Sequence, residues 1–464
     1  MAGIGFRLRE IVTRKTFTEW VQLYLYSAIV FAGPWLFSIL CLAALSVFAL
    51  PDLHREGVAL FTVTVVYCYA FSLIATGLLQ LPVTRYVADR LYVKDRTSIL
   101  PSFVATTIVV ATVQAFVGAA FMSLCDVSLA YKIWATSLYV VISVIWMAMI
   151  FLTAAKDYNA LVAGFFVGYL VSFVLGKLLG MRMGVDGLLC GFLAGQVVLC
   201  FWLVWRIFEE FPNDLPFNFD FRHTFTQYPT LAWSGVAYSA AIWIDKFLFW
   251  FHPKTGIRVH SLFYTHFPYD SAMFFAYLTI VPTLSLFLVR VETEFYTKYK
   301  AFFGGILNKD PLSAIEARKR ELIETLRKSL GAVIIYQGIV TLAVMILLPM
   351  LLDTFDISQD HLPVFRTACI GAVFHVLLLV LTVVLLYFDF RGAVLLVSAF
   401  FLVSNAGFTW ITLSMPEDTW GLGYLGSTAL SLLLCIVLLW NRLTNLEFVT
   451  FVRQPINQQK VVVR

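Results

Sequence analysis

An apolar run of about twenty residues recurs twelve times along this chain, and that repetition restricts the fold more than any short motif. The runs fall at 22–49, 58–80, 101–125, 132–155, 160–180, 187–206, 230–251, 271–290, 331–352, 364–388, 393–414 and 423–441. A helix needs roughly 20 residues to cross a bilayer's hydrocarbon core. No water reaches the backbone there, so each crossing must satisfy its own amides, as an α-helix does. Only 13% of the 464 residues are charged while 60% are hydrophobic, too little charge to cover a soluble protein of this size. These features predict an all-α polytopic membrane protein with about 12 transmembrane helices.

An even number of crossings puts both termini on one side, and the basic residues say which. Of the 33 lysines and arginines, 25 fall on the side holding the termini, six fall on the other, and Lys177 and Lys246 lie inside spans. Cytoplasmic segments carry such an excess, so both ends are expected in the cytoplasm. The net charge of +5 therefore reflects topology and is no sign of nucleic acid. The first apolar run is too long for a cleavable signal core and is expected to stay as an anchor.

Residues 1–20 place Ile4, Leu8, Ile11 and Val12 at helical spacing among Arg7, Arg9, Arg14 and Lys15, the pattern of an amphipathic helix on an anionic membrane face. Two six-span halves follow, 21–207 and 230–441, joined by a linker at 208–229 and followed by a tail at 442–464. Spans 1 and 7 begin about 208 residues apart, and a similar offset lays Thr84-Arg85-Tyr86 on Thr293-Glu294-Phe295. Parallel repeats of this kind are a transporter design, with the path between two lobes. The largest cytoplasmic loop, 292–330, reads as a basic helix with Asp310 as candidate N-cap, Pro311 in the first position and Gly331 at its end. Its Arg318, Lys319, Arg320, Arg327 and Lys328 suit docking onto anionic lipid or a partner.

Span 7, Leu231 to Phe251, carries adjacent charges at Asp245 and Lys246. A charge in a span costs roughly 2.5–3.5 kcal/mol on insertion scales and usually faces protein or an aqueous path. The pair is read as a polar point on a transport path, or as a rim feature with Lys246 snorkelling outward. Neighbours on a helix point about 100° apart, so each is expected to meet a different partner, Asp245 accepting from cargo hydroxyls or holding a base. Lys177, Gln114, Gln196, Gln337 and Asn405 are further interior candidates. Pro34 and Pro282 interrupt spans 1 and 8 and suit hinges, though membrane helices also kink at proline without function.

Signals for chemistry are sparse. The seven cysteines include no CxxC pair, and His252, His260 and His266 share a loop without metal-ligand spacing. His375, inside an apolar run, reads as a satisfied interior histidine. No GxxxxGK[ST] loop occurs, and no catalytic residue, metal or cofactor is expected. A membrane sugar polymerase or acyltransferase would need an acid/base or nucleophile constellation, and polymerases usually add a large outer loop. Neither is visible here. A scaffold that recruits a cytosolic synthase stays open beside the transporter reading.

Several stretches resemble the PelG family, inner-membrane transporters of the Pel exopolysaccharide within the MOP exporter superfamily. They are the opening Met1-Ala2-Gly3-Ile4-Gly5-Phe6-Arg7-Leu8-Arg9, Gly33-Pro34-Trp35, the run from Pro82 to Tyr92, and Trp243-Ile244-Asp245-Lys246. The resemblance implies two six-helix lobes around a central cavity, in the MATE manner, in a bacterial inner membrane. It also implies a polysaccharide cargo or its precursor for the biofilm matrix. PelD, PelE and the glycosyltransferase PelF are the partners implied.

The topology has a direct test. In a cysteine-free background, a thiol replacing Arg258 is expected to react with a membrane-impermeant maleimide from outside, and one replacing Lys319 is not; the reverse pattern would invert the map.

Overall fold

The computed structural model describes residues 33, 36–45, 55–155, 157–211, 218–290, 294–354 and 357–452. The helix expected at 1–20, the Pro34 hinge and the end of the tail lie outside these. In chain order the helices are α1 (Leu36–Leu45), α2 (Arg55–Tyr92), α3 (Ile99–Ser123), α4 (Leu129–Ala155), α5 (Tyr158–Glu210), α6 (Arg222–Gln227) and α7 (Pro229–Phe251). Strands β1 (Ile257–His260) and β2 (Phe263–Thr265) follow, then α8 (Phe267–Arg290), α9 (Tyr296–Leu307), α10 (Leu312–Thr354), α11 (Leu362–Tyr387), α12 (Arg391–Thr412), α13 (Leu422–Thr444) and α14 (Leu446–Val452). The fold is all-α as expected; among the described residues the strands form one short antiparallel hairpin, which pairs Arg258 with Tyr264 and His260 with Phe263.

Nine described helices are long and apolar enough to cross a membrane by themselves. One of them, α5, is two crossings folded back at Gly184, whose φ of 65° and ψ of −142° a side chain would oppose. The fifth and sixth spans therefore meet at a hinge residue with no loop between them. Their arms pack through small residues: a Cβ on Gly191 would lie 2.4 Å from the Gly176 amide nitrogen. Such stripes let backbones approach closely where lipid supplies no hydrophobic drive. Counting α5 twice and adding α7, eleven of the twelve expected crossings have a long helix among the described residues, and the first is represented only by the ten residues of α1.

The packing repeats between halves. In the first, α2 and α3 both pack on α4, which packs on α5. In the second, α8 and α10 both pack on α11, which packs on α13. The halves meet where α2 runs antiparallel to α7. Phe71 stacks on Phe247 at 5.0 Å, and farther along a Cβ on Gly235 would lie 2.1 Å from the Gly77 carbonyl oxygen.

The basic loop departs from its reading. Gly331 does not end a helix; α10 runs unbroken through it for 43 residues, about 65 Å at 1.5 Å per residue. A glycine inside a helix costs about 1 kcal/mol, less than leaving backbone groups unpaired at the membrane. Before α10 the chain turns at Lys309 (φ 59°), and Asp310 turns its carboxylate to Arg318 at 2.6 Å, fixing α9 beside α10. Pro282 sits within α8 as expected, and Pro82 and Pro349 also lie inside helices, α2 and α10.

Two glycine substitutions separate close approach from mere helix membership. Gly235→Ala, which pushes α2 from α7, is expected to cost about 1–3 kcal/mol and to lower the melting point in detergent. Gly331→Ala meets open space and is expected to be neutral or to gain up to about 1 kcal/mol. Equal melting of both variants would contradict the packing at the seam.

Candidate functional site

The charged pair of α7 lies inside the second lobe. Asp245 is 0% exposed and Lys246 5%. Contrary to the expectation of separate partners, Lys246 Nζ lies 3.1 Å from both Asp245 carboxylate oxygens and donates to the Ile242 carbonyl at 2.9 Å. It does not snorkel. Side chains on a helix lean toward its N-terminus, and four methylenes let the ammonium curl back onto its neighbour. An uncompensated charge at this depth is costly, so the two ions neutralise each other.

Aromatic side chains of α7 and α8 complete the shell. Tyr269 of α8 donates to Asp245 Oδ2 at 2.9 Å. The Tyr277 and Trp243 rings lie 5.1 and 5.7 Å from Lys246 Nζ, within cation–π range. Beyond Tyr277, His375 of α11 is bonded at both ring nitrogens, Nδ1 to the Tyr424 hydroxyl at 2.7 Å and Nε2 to the Tyr238 hydroxyl at 3.0 Å. His375 is thus the satisfied interior histidine expected, set in a polar network joining α7, α8, α11 and α13. Asn405 of α12 fastens to the same α7, donating to the Ala241 carbonyl at 2.8 Å and accepting from Ser427 at 3.2 Å.

Of the other candidates, Gln337 on α10 donates to Thr279 of α8 at 3.2 Å and to Thr341 at 3.0 Å. Gln114 lies buried on α3, and Lys177 is half-buried on α5, both in the first lobe. Gln196 belongs to a separate, uncharged network there, in which its amide donates to Ser172 at 3.3 Å and Tyr69 meets Tyr169 at 2.6 Å. The structure therefore groups Asp245, Lys246 and Asn405 around α7 and keeps Lys177, Gln114 and Gln337 elsewhere. Sequence reasoning missed Tyr269, Tyr277, Tyr238 and Tyr424. A tyrosine inside an apolar run is the one signal that marked them, because its hydroxyl needs a partner when buried.

Three of the basic docking candidates are paired within the chain. Arg318 holds Asp310, and Lys319 reaches Glu447 of α14 at 2.5 Å and the Thr444 carbonyl at 2.8 Å. Lys328 pairs with Glu324 at the surface, and Arg320 and Arg327 are exposed. Between α10 and α14 lies a cavity of about 490 Å³ lined by Lys319, Arg320, Glu447 and Phe448. No group of His, Cys, Asp and Glu among the described residues could hold a metal ion.

The fold has solved counterparts. An outward-facing multidrug resistance MATE family transporter of the MOP superfamily superposes with a TM-score of 0.64 at 15% identity, covering 92% of this chain and 96% of that one. A MATE structure in complex with MaD3S gives 0.64 at 14% identity, with the same two coverages. A MOP superfamily transporter from Pyrococcus furiosus gives 0.61 at 15%, again over 92% and 96%. At such identities the likeness is one of fold. No curated protein matches in sequence. The family model described as "PelG: Putative exopolysaccharide Exporter (EPS-E)" matches residues 1–451, and the chain, a polytopic transporter and not an enzyme, belongs to that family.

Proposed function

We propose that this protein carries the Pel exopolysaccharide, or a lipid-linked precursor of it, across the bacterial inner membrane for the biofilm matrix. The lobes move about the α2–α7 seam, and both termini are cytoplasmic. The observation that carries the reading is a charge pair sealed inside one lobe of a two-lobed transporter fold. A buried ion pair is a poor source of stability, and breaking one by removing a single partner costs about 3–5 kcal/mol. A charged network in a span is by default a functional feature. In this proposal its hydrogen bonds rearrange as the lobe changes shape, and the Asp245 carboxylate then takes hydroxyl donors from the cargo.

PelF delivers the polymer from the cytoplasm, with PelD and PelE beside this chain in the membrane. Its docking surface is the α9–α10 hairpin. The Asp310–Arg318 bridge makes that hairpin rigid, and Arg320, Arg327 and Lys328 stay outward for an acidic partner surface.

Removing Asp245 alone would strand a buried ammonium, so the informative variant removes both charges. Asp245→Asn combined with Lys246→Met is expected to reach the membrane near wild-type abundance while secreted polymer falls at least tenfold. Normal secretion would make the pair purely structural. For docking, Arg320→Gln, Arg327→Gln and Lys328→Gln together should lower glycosyltransferase recovery with the membrane fraction several-fold while this chain still inserts. Unchanged recovery, with weakened binding to anionic vesicles, would make the surface a lipid contact.

A further inference from the structure

The segment between α7 and α8 reaches out of its own lobe into the other. Phe263 of β2 is 0% exposed, its ring centroid 5.3 Å from Tyr67 on α2 and 5.8 Å from Phe121 on α3. Tyr67 serves as the missing strand partner of the hairpin: its hydroxyl donates to the Tyr264 carbonyl at 3.0 Å and accepts from the Tyr264 amide at 3.1 Å. The same ring stacks on Trp250 of α7, 4.9 Å between centroids and 7° from parallel. At the hairpin tip, the peptide of Asp126, just past α3, is gripped from both sides. Its amide donates to Ser261 Oγ at 2.8 Å and its carbonyl accepts from His260 Nε2 at 2.7 Å.

The hairpin is firmly rooted in its own lobe. The Asp270 carboxylate accepts from Trp250 Nε1 at 2.9 Å, Thr265 Oγ1 at 2.8 Å and the His266 amide at 3.1 Å. His266 in turn accepts the Tyr269 amide at Nδ1, and burial pushes its imidazole down to about 4, so it stays neutral near pH 7. The hairpin therefore moves with the second lobe and inserts into the first. At the opposite end of the seam the lobes are tied differently. There Arg85 meets Asp389 at 3.6 Å, both about two-fifths exposed, and Arg85 and Arg391 lie over Tyr228. Exposed, solvent-screened pairs part easily, whereas an interlocked aromatic plug must be withdrawn as a unit.

We infer that the 257–265 hairpin is the gate at the exit end of the transport path, with Tyr67 as its catch. The lobes separate at this end only when Tyr67 releases the Tyr264 backbone and Phe263 leaves the first lobe. The inference rests on the exporter reading above, and it adds a residue that governs passage without touching the charged network.

The test uses a thiol already in place. Cys125, in the first lobe, lies against Ser261 and the Leu262 amide. With Ser261→Cys, an oxidant should join the introduced thiol to Cys125, lower secreted polymer at least tenfold, and allow recovery on reduction. The same substitution with Cys125→Ser should ignore the oxidant. A staple within the first lobe at the same end, Ser128→Cys with Asp186→Cys, whose native side chains meet at 3.0 Å, should leave secretion unchanged. Secretion that persists through a complete hairpin cross-link overturns the gate. A second measurement needs no export at all. Tyr67→Phe keeps the ring and removes both hydrogen bonds, so Cys125 should react several-fold faster with a membrane-impermeant maleimide, and an unchanged rate also overturns the gate. Polymer secretion that survives deletion of the whole protein would instead refute the exporter reading and leave the labelling result standing.

Discussion

A lysine and an aspartate adjacent in sequence, both sealed at membrane depth, set the terms for the second lobe. Neither ion tolerates lipid, and a helix cannot hide both on one narrow stripe by rotation alone. Lys246 folds back onto Asp245 and the Ile242 carbonyl, which settles the charge but leaves a carboxylate with spare lone pairs. Tyr269 fills one of them, and Tyr277 covers the ammonium with a ring face. Both tyrosines are on α8, so the ion pair fixes where α8 stands against α7. His375 and Tyr424 then pack against Tyr277 and bring in α11 and α13. The lobe is organised outward from one neutralised pair.

How much of this was legible depends on the distance over which each feature is decided. The spans were, because hydrophobic length is a local property with one solution in a bilayer. The importance of α7 was also legible, although its serines, glycine and charges leave it out of the nine helices that qualify by hydropathy and length alone. Its two charges stood out because everything around them was apolar. What they touch did not, since Tyr269 and Tyr277 lie 24 or more residues away and a tyrosine in an apolar run does not say which partner its hydroxyl or ring will meet. Gly184 and Gly331 show the same limit from the other side. One breaks a helix and the other is absorbed into one, and only tertiary surroundings separate them. The hairpin at 257–265 was hidden because a two-stranded ribbon is marginal by itself; here Tyr67 and Asp126 of the other lobe complete it.

The length of α10 gives the basic loop a different meaning. A separate surface helix could tilt independently of the membrane domain. A single continuous helix cannot, so whatever engages its exposed basic end acts on a rod whose other half packs on α8 and α11. Gln337 ties that rod to Thr279, two residues from the tyrosine that covers Lys246. Much of the remaining apolar surface of α10 faces outward, with Ile335, Ile339 and Ile346 all more than three-fifths exposed. The contact to α8 includes the Gln337–Thr279 hydrogen bond, whose groups have few alternatives in lipid.

The two lobes repeat in packing but not in electrostatics. In the first, Tyr69, Tyr169, Gln196 and Ser172 form a buried network of neutral groups. In the second, the corresponding interior holds a full ion pair. Neutral hydrogen bonds exchange partners at little cost, whereas an ion pair resists separation until each charge has somewhere else to go. In the proposed cycle the second lobe is therefore the one whose rearrangement needs an incoming polar ligand, and the first is the one that can yield to it. The hairpin that plugs the first lobe is rooted in the second through Asp270 and Trp250, and Trp250 lies one turn beyond Lys246 on α7. Under the proposed gate, motion of α7 at the ion pair and withdrawal of Phe263 from the first lobe are two ends of one connection, and control of the exit lies with the lobe that carries the charge.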